Sequence, residues 1–135
     1  KIILGLLAIF LVIVSVSAVS AADVNFGKFS LTIDGEQTQN LTRDDNSGHV
    51  EIINYNTSKG NVSVMIMPHV YANKTIESFI KDDGYKKMDP VGNFTLLETK
   101  TGSYEGVYFA DDYWVAVLFD DLDSGKKILN SFKLN

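Results

Sequence analysis

Apolar positions open the chain as a block. Lys1 is followed by Ile2 to Val14, broken only by Gly5, and the block ends in the small residues Ser15 to Ala22. A charged start, an apolar middle and a small-residue end make up a secretory leader, and they predict cleavage after Ala21 or Ala22. The span also approaches the roughly 20 residues that cross a bilayer, so a retained N-terminal anchor is the competing reading. Either way, residues 1–22 are a signal peptide or membrane anchor, and residues 23–135 are one α+β domain working outside the cytoplasm.

Past that boundary the period changes. Phe29, Leu31 and Ile33 alternate with Ser30 and Thr32, which predicts a half-buried strand ended by Asp34 and Gly35. Glu36 to Gly48 is polar and predicts a loop. His49 to Tyr55 and Val62 to Met67 predict two further strands around the turn-forming Asn56 to Asn61, and Pro68 limits further pairing. A helical period appears between Asn73 and Asp83, placing Ile76, Phe79 and Ile80 on one face, with Asn73 as cap and Gly84 as stop. After a turn at Asp89 to Asn93, Phe94 to Lys100 predicts another strand.

The longest apolar stretch of the domain, Tyr104 to Phe119, predicts a hairpin reversing at Asp111 and Asp112. With those two residues as the loop, Phe109 faces Trp114, Tyr108 faces Val115, Val107 faces Ala116, Gly106 faces Val117 and Tyr104 faces Phe119; a one-residue slip exchanges these partners. Tyr113 to Phe119 has no polar break, so this strand is predicted to be covered on both faces. A last helix, capped by Asp123 or Ser124, turns Ile128, Leu129 and Phe132 inward. The resulting fold class is α+β: a mainly antiparallel sheet of about six strands in the order β-β-β-α-β-β-β-α, covered by two helices.

The segments KFSLTID, TIESFIKDDGY, GSYEGVYFADDYWVAVLF and KKILNSFKLN together resemble the small secreted domains of the PsbP-like fold exported by methanogenic archaea. The resemblance spans Phe26 to Leu134. It implies a non-enzymatic binding or accessory domain of the cell envelope, with no catalytic residues to carry over.

Charge and composition narrow the chemistry. The net charge is −5 and no basic run occurs, so nothing in the sequence provides the clustered Lys or Arg that nucleic acid or anionic lipid requires. With no Cys, thiolate nucleophiles, disulfides and Cys metal sites are excluded. Asp111 and Asp112 lie across one extended strand from Asp120, Asp121 and Asp123, about 23 Å away at about 3.3 Å per residue, too far to share an ion. Asp121, Asp123 and Gly125 imitate a calcium loop, but Phe132 stands where its bidentate Glu is needed. Asp44, Asp45, Asn46, Asp82 and Asp83 fit turns better than metal. His49 and His69 lack a third ligand for zinc.

Ser103 lies in Gly-Ser-Tyr-Glu-Gly, which lacks the spacing and the following helix of a nucleophile elbow. Glu105 shares its strand face with Val107 and Phe109, and its position at the strand end predicts solvent exposure. No catalytic, cofactor or metal residue is therefore assigned. The expected function is an exported binding or accessory domain for an envelope or extracellular protein or a small ligand. The alternatives are a small extracellular hydrolase or metal-dependent enzyme using Glu105 or the histidines, and a membrane-anchored structural surface protein.

Modification gives the most specific signal. Asn40, Asn56, Asn61, Asn73 and Asn93 each stand two residues before Ser or Thr without an intervening Pro, against a chance expectation of about 1.4 such triplets. These are the glycosylation candidates, with Asn56 and Asn61 expected to be presented best by the loop between two strands.

Overall fold

The computed structural model describes residues 21–45, 48–68 and 76–135. Its elements are β1 (Ala22–Asn25), β2 (Phe29–Ile33), β3 (Gly35–Asp45), β4 (Gly48–Thr57), β5 (Gly60–Pro68), α1 (Ile76–Lys81), β6 (Lys86–Lys87), β7 (Thr95–Glu98), β8 (Tyr104–Phe109), β9 (Tyr113–Phe119), α2 (Leu122–Asn130) and β10 (Lys133–Leu134). All recorded strand pairs are antiparallel. Seven strands form one sheet in the order β3-β4-β5-β9-β8-β7-β6, and three form a second in the order β1-β2-β10.

Strand β9 sits at the middle of the large sheet, and its alternation divides the core. Tyr113, Val115, Val117 and Phe119 point to one face, where Phe29, Leu31 and Ile33 of β2 and Ile128 and Leu129 of α2 pack on them. We call this the inner face. Trp114 and Ala116 point to the outer face and meet Phe79 of α1, Leu97 and Val107. The apolar run from Tyr113 to Phe119 is thus explained by cover on both sides. The hairpin register agrees with the pattern: Phe109 pairs with Trp114, Tyr108 with Val115, Val107 with Ala116, Gly106 with Val117 and Tyr104 with Phe119. Asp111 and Asp112 make the turn, closed by Ala110 N–H donating to Tyr113 O at 2.8 Å.

Helix α2 is capped by Asp121 rather than by Asp123 or Ser124. The Asp121 side chain accepts from Ser124 N at 2.9 Å, which holds its carboxyl below the usual range. The other end is tied to the small sheet, where Thr32 N–H donates to Ser131 Oγ at 2.7 Å. Phe132, just past the helix, packs against Phe29, Phe94 and Tyr108. In α1, Phe79 is buried and Ile76 half-buried, but Ile80 is 40% exposed, so the expected three-residue apolar face is narrower. Gly84, at φ +71, ends it, with Tyr85 N–H donating to Phe79 O at 3.1 Å.

The α+β class and the predominance of antiparallel sheet agree with the sequence, but the strand count does not. Ten described strands in two sheets replace one sheet of six. The largest difference is the polar stretch after Gly35, expected as a loop, which forms the eleven-residue β3. Its position at the sheet margin explains this. An edge strand held by ladder bonds to β4 needs no apolar alternation, and its side chains from Glu36 to Asp44 are exposed. The additional β1, β6 and β10 are of two to four residues, too short to leave a periodic signal.

Candidate functional site

The outer face is not covered uniformly. Helix α1 lies over the part built from β7, β8 and β9, whereas the part built from β3, β4 and β5 carries a groove of about 500 Å³ lined by Leu41, Thr42, Arg43, Val50, Ile52 and Met67. Strand register assembles it. Leu41 pairs with Ile52 and Ile52 with Met65, while Arg43 pairs with Val50 one step along. Met67 in turn pairs with Trp114, which joins the groove floor to the covered core. Leu41 is 51% exposed, so the groove has an apolar outer wall in water. Sequence reasoning missed this place because half of its lining comes from the stretch expected as a loop. The remaining signal was Leu41 itself, an isolated large apolar residue among polar ones.

His49 lies on the opposite, inner side of β4 at the open end of the sheet. Its Nδ1 is 2.6 Å from Asp44 Oδ1 on β3 and its Nε2 is 3.4 Å from Glu51 Oε2. Those two carboxylates raise its pKa above the usual imidazole value, the Asp44 hydrogen bond contributing most. Both ring nitrogens face protein oxygens, so the pair of carboxylates restrains the ring instead of completing a metal shell. Nearby, Lys28 pairs with Asp112 at 2.7 Å and lies over the Tyr113 ring. Burial raises the Tyr113 hydroxyl pKa. His69 lies outside the described residues.

The other chemical candidates separate. Asp120 is exposed beyond β9, Asp121 caps α2 and Asp123 is exposed in its first turn, so these three do not converge. Among the described residues, no group of three metal-ligating side chains is brought together. A polar cleft of about 510 Å³ beside the α2 N-terminus mixes Asp34, Asp121 and Asp123 with Lys59 and Lys127, leaving no single sign of charge to select a ligand. Ser103 is engaged with Thr99 Oγ1 at 2.6 Å in the turn before β8. Glu105 corrects the expectation of exposure: it is 5% exposed, between its cross-strand neighbours Leu118 and Leu97, both of which belong to the outer-face core.

Four of the five acceptor asparagines are described, and the side chains of Asn40, Asn56, Asn61 and Asn93 are all exposed. Asn56 and Asn61 are direct cross-strand partners beside the β4–β5 turn. Asn40 lies midway along β3, and Asn93 lies in the turn closed by the Val91–Phe94 bridge. Asn73 lies outside the described residues. Among the described residues, no helix is long and apolar enough to cross a membrane.

No family model, curated protein or solved structure matches the chain, so the site stands on its geometry and on the sequence features above.

Proposed function

We propose that residues 23–135 form an exported, glycosylated, non-enzymatic binding or accessory domain of the cell envelope, of the PsbP-like kind. Its outer-face groove takes an apolar group, such as an acyl chain or an aliphatic side chain, from a small ligand or an extracellular partner. The observation that carries this reading is the half-open groove of Leu41, Val50, Ile52 and Met67 beside a fully covered part of the same sheet. Apolar surface left in water costs about 25 cal/mol per Å², and an occupant that covers it recovers that free energy.

Trp114 is the only tryptophan and pairs with Met67 at the groove floor, so its fluorescence reports occupancy. Titration with laurate is expected to give a saturable change that is lost in Leu41→Asp, a substitution at an exposed position that leaves the core intact. No saturable change, or the same change in the variant, would overturn the groove as the binding site.

A further inference from the structure

Strand β3 leaves an open problem at the margin of the large sheet. It is eleven residues long and hydrogen-bonds to β4 on one side, while no described strand pairs with its other side. A long exposed edge presents backbone N–H and C=O groups to any other extended chain, including a second copy of itself. The strand carries partial protection in the irregularity between Gln37 and Gln39 and in the charges of Arg43 and Asp44 toward one end. The central stretch from Gln39 to Thr42 is uncharged, contains the exposed Leu41 and has no described cover.

An acceptor triplet, Asn40-Leu41-Thr42, occupies that stretch. The strand places residues 40 and 42 on one side of the sheet, and the Thr42 hydroxyl donates to Asn40 Oδ1 at 3.0 Å. The bond fixes the amide through its oxygen and leaves Nδ2, at the end of an exposed side chain, without a partner among the described residues. The other described triplets are engaged differently. Ser63, the hydroxyl residue of the Asn61 triplet, donates instead to Asn54 Oδ1 at 2.6 Å. In the Asn56 triplet the hydroxyl residue is Ser58, in the β4–β5 turn, where the middle residue Thr57 donates to Gly60 O at 2.7 Å; no bond from Ser58 to Asn56 is formed among the described residues, and Asn56 pairs with Asn61 across the ladder. The Asn93 triplet contains Phe94, 1% exposed in the core.

We propose that Asn40 is a site of asparagine-linked glycosylation and that its glycan covers the free edge of β3, preventing edge-to-edge pairing with a second copy. In the transfer, Nδ2 of Asn40 bonds to the anomeric carbon of a lipid-phosphate-linked saccharide. The anomeric C–O bond breaks, the lipid phosphate leaves with the bonding electrons, and the amide nitrogen loses a proton; nothing is oxidised or reduced. An exposed side chain on a strand margin tolerates the added saccharide whether it is attached before or after folding. This assignment rests on the exported, glycosylated reading above and adds to it which asparagine is used and what its glycan does.

The test is secretion of the full chain from a eukaryotic host that glycosylates exported proteins, with Asn40→Gln, Thr42→Ala and Thr42→Ser made in parallel. Trypsin releases residues 29–43, which contain Asn40 and no other acceptor. The expected result is saccharide mass on that peptide in the parent and in Thr42→Ser, and its loss in the other two variants. Light scattering is expected to show a monomer when the glycan is present and a shift to dimers or larger species when it is absent. Bare Asn40 with saccharide on other peptides overturns this assignment alone. A chain without saccharide anywhere overturns it together with the glycosylated reading. Glycosylated Asn40 with variants that stay monomeric overturns the role given to the glycan.

Discussion

Gly125 of α2 lies against the ring of Phe119 on β9, so closely that a methyl group on Gly125 would overlap the ring. The neighbouring contact is similar, since a Cβ on Gly106 would stand 2.7 Å from Leu129 Cδ1. Two glycines, one on each element, therefore set how near the helix approaches the sheet. Helix propensity alone favours Gly125→Ala by about 1 kcal/mol. Overpacking against a buried aromatic costs about 1 to 3 kcal/mol, and Phe119 is surrounded by core, so the steric cost is expected to win. Gly125→Ala should lower stability in denaturant unfolding. A variant more stable than the parent would place α2 farther from β9.

Trp114 tests the opposite face. Its ring stacks on Phe109 at 5.9 Å and meets Phe79 edge-on at 6.2 Å, linking the hairpin to α1. Deleting a buried aromatic of this size costs about 3 to 5 kcal/mol, so Trp114→Ala should lose that much in the same unfolding experiment. A loss below about 1 kcal/mol would contradict cover by α1, since an exposed ring contributes little to stability.

These contacts also show what the sequence made legible. The hairpin register followed from alternation within one short stretch, where Asp111 and Asp112 fixed the reversal and every partner lay nearby in the chain. Strand β3 was illegible for the converse reason: its stability comes from β4, and a margin strand exposed on both faces leaves no apolar period. Glu105 shows a third case. Its neighbours along β8 placed it on the correct face, but it is flanked by Leu97 and Leu118 of the outer-face core, contributed by separate strands. The groove needed both kinds of information, because Leu41 and Arg43 come from the unrecognised strand and Met67 from two strands away.

The His49 bridge gives a pH dependence of defined sign. Asp44 on β3, then Glu51 on β4, raise its folded pKa above the unfolded value near 6.5. The groups around the same corner are Lys28, Asp112 and Tyr113. A raised folded pKa means that the folded state binds the proton more tightly, so the bridge contributes fully below the unfolded pKa and is lost as pH rises through the folded one. The stability advantage of the parent over His49→Gln should therefore be present at about pH 5.5 and shrink toward pH 8. Paired denaturation curves across the range check this, and a difference that grows with pH would contradict it.

The N-terminal boundary can be tested through β1. Ala22 pairs with Ile33 and Asp23 with Thr32, and Thr32 Oγ1 donates to Asp23 Oδ1 at 2.6 Å. Phe26 then stacks on the fully buried Phe29 at 5.0 Å. Leader cleavage after Ala21 leaves these interactions whole, and cleavage after Ala22 removes one terminal pair. A chain beginning at Ala22 should accordingly match the full chain in denaturant unfolding. One beginning at Gly27 should lose about 2 kcal/mol or more, combining an aromatic contact of about 0.5 to 1.5 kcal/mol with ladder bonds of about 1 kcal/mol each. Intact mass of the secreted protein should place the mature N-terminus at Ala22 or Asp23. If the Ala22 chain were itself destabilised, residues 1–21 would belong to the folded domain, and the leader reading would fail.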